Sequence, residues 1–132
     1  MSYVIESPRL PVVLAPPPFS GRHVLMDFWQ ASGLDDVELV EHALREGALT
    51  TGATILAGKF HSFGPNMGVS GVLVLAESHF SIHTWPEYGH ATADMFTCGD
   101  CDPALAIPVL LKAFSAREHY VKHVMRGVRT GF

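Results

Sequence analysis

The chain has 132 residues, 48% of them hydrophobic and 17% charged, which suits one domain with a single core and leaves few charges to spare for the surface. A net charge of -4 without a basic cluster excludes the electrostatic footprint of a nucleic-acid or anionic-membrane binder, and no apolar run approaches a transmembrane span. Met1 to Glu6 lack the basic start of a secretory signal, prolines interrupt the later apolar runs, and two cysteines are too few for a disulfide scaffold, so a cytoplasmic protein is expected.

Residues 1–20 carry Pro8, Pro11, Pro16, Pro17 and Pro18 and read as an extended arm, because proline fixes φ and offers no backbone donor. Residues 21–132 then form the domain. Val24, Met26 and Phe28 alternate with His23 and Asp27, which predicts a strand from Arg22 to Trp29. Asp35 and Asp36 supply a cap for a helix whose stripe is Val37, Val40, Leu44 and Ala48, broken at Thr51-Gly52. Strands are expected from Thr54 to Phe63, Val69 to Glu77, Phe80 to Trp85 and His90 to Thr97, separated by the glycine-rich loop 64–68 and the turn Pro86-Glu87-Tyr88-Gly89. Asp102-Pro103 starts a second helix running to about Ala116, in which Pro108 imposes strain or a later start. A last strand spans His119 to Val124. The order β-α-β-β-β-β-α-β predicts an α+β two-layer sandwich, a mainly antiparallel sheet with two helices on one face. Such a layer leaves sheet surface needing cover, and the sparse charge favours a buried subunit interface over a lone monomer.

The chemistry concentrates where the third strand ends. Glu77-Ser78 closes the apolar run Val72-Leu73-Val74-Leu75-Ala76, and His83, Glu87 and Cys98 follow within a short stretch: a hydroxyl nucleophile, an acid/base, a group to hold substrate and a proton donor. Decarboxylating an amino acid needs an electron sink, usually pyridoxal phosphate on a lysine. The chain's lysines are Lys59, Lys112 and Lys122, and none sits in a glycine-rich phosphate cradle.

The run from Glu77 to Gly99, with Gly21-Arg22-His23, Phe60-His61-Ser62-Phe63 and Gly68-Val69-Ser70-Gly71, resembles the short prokaryotic, pyruvoyl-dependent S-adenosylmethionine decarboxylases over roughly Gly21 to Arg126. The resemblance implies a proenzyme that cuts itself between Glu77 and Ser78, Ser78 becoming the pyruvoyl group that forms a Schiff base with substrate. It implies His83 as processing base, Ser70 as a hydrogen-bonding aid to cleavage, Cys98 as proton donor in turnover, Glu87 on the ribose hydroxyls and Phe63 against adenine. It further implies no pyridoxal phosphate, no metal, a homodimer of cleaved protomers and a product that donates an aminopropyl group to spermidine synthesis. The loop after Phe63 is one residue longer than in the family's pattern, His90 stands where a tyrosine is expected, and the proline-rich arm is additional.

Other readings follow from the residues. A pyruvoyl-dependent arginine or ornithine decarboxylase would keep Ser70, Ser78, His83 and Cys98. Cys98-Gly99-Asp100-Cys101 is a C-x-x-C, and with His79 and His83 it could hold zinc in a non-enzymatic module. A non-catalytic relative would keep the fold and lose processing. Strict alternation places His83 on the opposite strand face from Ser78 unless Ser78 lies in a turn. Trp85 reads as a core aromatic, and His23, His42, His61, His119 and His123 as ordinary structural histidines.

Overall fold

The structure, a computed structural model, describes residues 19–129, so the proline-rich arm lies almost wholly outside the described residues. The elements are β1 (Gly21–Trp29), α1 (Val37–Thr50), β2 (Ile55–Ser62), β3 (Val69–Leu75), β4 (Ser78–Trp85), β5 (His90–Thr97), α2 (Ala106–Phe114) and β6 (Glu118–Arg126). The six strands form one antiparallel sheet in the order β2-β3-β4-β5-β1-β6.

Period-two alternation sorts the sheet into two unlike faces. Val24, Met26 and Phe28 from β1, Phe80 and Ile82 from β4, and Ala91, Ala93 and Met95 from β5 point inward and are buried. They meet Val40, Ala43, Leu44 and Ala48 of α1 and Ala106, Leu110 and Phe114 of α2 in one core. The Asp36 carboxylate accepts from the Glu38 and Leu39 amides, which starts α1 where the sequence reading expected it. α2 begins later than expected. A single 3-10 turn, Pro103–Leu105, capped by Asp102, precedes it. Pro108 is thereby the third residue of α2, where backbone donors have no partner inside the helix and proline does little damage.

The fourth strand starts two residues earlier than expected, at Ser78, and β3 stops at Leu75. Ala76 and Glu77 alone make the turn between them. Thr84, on the inner face of β4, donates to the Leu34 carbonyl at 2.7 Å and accepts from the Val69 amide at 2.8 Å. This anchors the far end of the same hairpin to the loop before α1.

Neither helix covers the other sheet face. His23, Leu25, Asp27 and Trp29 of β1, His79, Ser81, His83 and Trp85 of β4, and Thr92, Asp94 and Phe96 of β5 alternate with the core residues and project from it. Trp85 therefore corrects the expectation of a core aromatic. Its parity matches His83 rather than Ile82, and it is 38% exposed.

Candidate active site

The Ala76-Glu77 turn forces an unusual backbone. Glu77 has φ +63°, the left-handed region that a residue with a Cβ enters at a cost of about 1–2 kcal/mol. Two-residue hairpins favour positive φ at the first central residue, and here it falls on the second. The strained residue supplies the carbonyl of the peptide bond between Glu77 and Ser78.

Cys98 reaches this bond because β5 pairs with β4 and ends beside the turn. Its thiol donates to the Glu77 carbonyl oxygen at 3.1 Å, and its amide donates to the Ser78 hydroxyl oxygen at 3.3 Å. Gly99 adopts φ +68° just beyond, and the Thr97 hydroxyl donates to the Cys101 carbonyl at 3.2 Å, which folds the chain after Cys98 back on itself. Hydroxyl, carbonyl and thiol thus converge on one partly exposed turn.

A second group lies at the other end of the hairpin. Ser70 and His83 face each other across β3 and β4, with the Ser70 hydroxyl 2.9 Å from His83 Nδ1. They line a cavity of about 260 Å³ with Phe63, Gly68, Trp85 and Glu87. Gly68 is required here, since a Cβ would overlap the Thr84 carbonyl oxygen. Phe63 is 55% exposed, and its ring meets that of His61 edge-on at 4.7 Å between centroids.

The two groups do not meet within one chain. The Leu75–Ser78 pair closes the turn, whereas Ser70–His83 lies five rungs away, about 16 Å at ordinary strand rise. Five residues also invert parity, so Ser78 shares the inner face of β4 with Phe80 and Ile82 while His83 projects from the open face. Ser78 begins the strand, so no intervening turn removes the mismatch. The donor at the Glu77 carbonyl is Cys98, and Ser70 is remote from it.

The four residues His79, His83, Cys98 and Cys101 do not form one group either. His83 is engaged with Ser70 and Cys98 with the hairpin turn. Among the described residues, the one cluster with metal-type side chains at close range is His23, His79 and Asp94. Asp94 was not singled out in the sequence. It faces Leu25 on β1 and Ser81 on β4, and His23 and His79 stand two residues along on the same face. Its carboxylate accepts from the Ser81 hydroxyl, from His23 Nε2 at 2.6 Å and from His79 Nε2 at 3.1 Å. The Arg126 guanidinium lies 3.0 Å from His23 Nδ1, which makes that nitrogen an acceptor and puts the proton on Nε2.

Burial by itself would raise the Asp94 pKa. The hydrogen bonds from Ser81, His23 and His79 outweigh it and hold the carboxyl below its ordinary value. A lowered folded-state pKa adds stability that is present above the unfolded-state pKa and is lost as pH falls through the folded one. Asp94→Asn should therefore lower stability at neutral pH and lose this disadvantage in acid. Urea unfolding of both proteins at neutral and acid pH checks it, and a difference that stays constant with pH would remove Asp94 from the acid response.

The model of the family described as S-adenosylmethionine decarboxylase matches residues 22–127, nearly all of the described chain. The chain belongs to that family. Relatives named "S-adenosylmethionine decarboxylase proenzyme" include one from Thermosipho melanesiensis, 49% identical over 108 residues, covering 79% of this chain and 82% of that protein. One from Thermotoga maritima is 50% identical over 107 residues, covering 78% and 82%. One from Pseudomonas aeruginosa is 40% identical over 121 residues, covering 89% and 75%. Among solved structures, the adenosylmethionine decarboxylase from Aquifex aeolicus superposes with a TM-score of 0.77 at 31% identity, covering 86% of this chain and 96% of that one. The matched span holds both halves of the candidate site, from Phe63 and Ser70 to Glu87 and Cys98.

Proposed function

We propose that this S-adenosylmethionine decarboxylase is made as a proenzyme, cuts itself before Ser78 and then decarboxylates S-adenosylmethionine in the cytoplasm. The observation that carries this reading is the convergence of the Ser78 hydroxyl and the Cys98 thiol on the strained Glu77 turn. The Ser78 hydroxyl attacks the Glu77 carbonyl carbon, the peptide C–N bond breaks, and an ester to Ser78 Oγ replaces the amide. Loss of the Ser78 α-proton expels Glu77 as a carboxylate and ends fragment 1–77. The dehydroalanine left at position 78 takes up water and releases ammonia, leaving a pyruvoyl group on fragment 78–132. Relief of the left-handed Glu77 conformation favours the first step. The Cys98 S–H, a weak donor, adds a modest polarisation of the carbonyl under attack.

The pyruvoyl carbonyl supplies the electron sink that pyridoxal phosphate supplies in other amino acid decarboxylases. Position 78 suits it, because a thiol stands beside the turn and no lysine is needed. Cys98 returns a proton to the carbon that has lost CO2. Glu87 and Phe63 share one cavity, which fits a ribose diol and an adenine better than the distal cation of arginine or ornithine. The product carries the aminopropyl group that spermidine synthesis consumes.

Ser70 and His83 take part only through a second copy of the chain. Within one chain they lie about 16 Å from Ser78 on the other sheet face. A homodimer in which a partner presents its Ser70–His83 pair to the turn of the first would complete two sites, and the sheet face that neither helix covers suits such pairing. This makes a sharp expectation for mixed subunits. Ser78→Ala and His83→Ala should each fail to process alone, the second because no base removes the α-proton. Co-expressed, they should form heterodimers in which the His83→Ala chain is cut, because its Ser78 meets the intact His83 of the other subunit. Denaturing gels with differently tagged chains read this out. No cleavage in the mixture, or efficient cleavage of His83→Ala alone, would contradict the shared site.

A further inference from the structure

The open face carries a second arrangement, at the edge of the Phe63–Glu87 cavity. His90, the first residue of β5, lies between two indoles. Its ring is 3.8 Å from that of Trp29, at 18° between planes, and 5.3 Å from that of Trp85, at 19°. Its Nδ1 is 2.9 Å from the Phe28 carbonyl oxygen, an acceptor, so Nδ1 carries the proton and the ring cannot flip. Phe28 is fully buried, which ties the imidazole to the core. Trp85 is one end of this stack and also lines the cavity with Ser70, His83 and Glu87.

We propose that His90 is a positioning residue for substrate: clamped by Trp29 and held by the Phe28 carbonyl, it fixes the Trp85 indole as one wall of the cavity. The proposal rests on reading that cavity as the substrate pocket. A tryptophan more than a third exposed would otherwise sample several rotamers, and each must be given up when substrate binds. Backing by a parallel ring settles the indole beforehand. His90 touches no reacting atom in this account and acts through Trp85.

The protein offers a direct optical probe, because Trp29 and Trp85 are its only tryptophans. Both stack on one imidazole, so their emission reports how firmly the stack is held.

The test compares His90→Ala and His90→Phe in the processed enzyme. His90→Ala should raise KM for S-adenosylmethionine about three- to tenfold, the scale of an aromatic stacking contact, with kcat within about twofold. His90→Phe, which restores a ring, should recover most of the KM. Emission anisotropy of the indoles should fall in His90→Ala, where Trp85 loses its backing, and return towards the wild-type value in His90→Phe. An unchanged KM in His90→Ala overturns the proposal. So does an equal loss in His90→Phe, or an emission anisotropy that is unchanged in His90→Ala. If the wild type does not decarboxylate S-adenosylmethionine, the functional reading fails separately, and the emission anisotropy alone decides whether His90 fixes the Trp85 indole.

Discussion

Ser78→Ala is expected to leave the chain whole and to reduce decarboxylation to the uncatalysed level. The variant keeps the fold, since Ser78 Oγ makes one long hydrogen bond, from the Cys98 amide, and the turn is held by backbone pairing of β3 with β4. What it loses is the atom proposed to attack the Glu77 carbonyl. Without the ester no elimination follows, no carbonyl is generated at position 78, and nothing takes up the electrons released with CO2. Two losses thus share one cause. Measured together, gel mobility and CO2 release should both collapse. A cleaved Ser78→Ala chain, or an uncut one with wild-type turnover, would contradict the mechanism.

Cys98→Ala is expected to separate processing from turnover. In the uncut chain the thiol is a weak donor to the Glu77 carbonyl, so its removal should slow cleavage by no more than severalfold. In turnover it is the group proposed to return a proton beside position 78, and losing a positioned acid costs about a hundredfold or more. Fragments near wild-type abundance with CO2 release depressed by that factor are the expected result. Cys101→Ala should change little, because Cys101 meets the site only through its backbone carbonyl. Equal activity in Cys98→Ala would take the thiol out of the reaction, and a severe loss in Cys101→Ala would revive a role for the pair.

Much of this was legible in the residues. The alternation of Val24, Met26 and Phe28 identified β1 and its buried face, and Asp36 marked the start of α1. Parity alone already set Ser78 and His83 on opposite faces, and the structure keeps them there. Local pattern stops at the boundaries of an element. It could not show that the hairpin turn is only Ala76-Glu77, because that length depends on the register of β3 against β4. Asp94 gathers His23 and His79 across three strands, the first 71 residues away in sequence, and no local signal announces such a meeting. Trp85 looked like core because it is large and apolar. Its exposure follows from which face the two helices cover, and alternation within one strand does not decide that.

The most direct test of the central claim is the intact mass of the purified wild-type protein under denaturing conditions. The account predicts two species, fragments 1–77 and 78–132, the second lighter by one ammonia than the serine-terminated peptide and resistant to amino-terminal sequencing. A single uncut chain after prolonged incubation at neutral pH would contradict it.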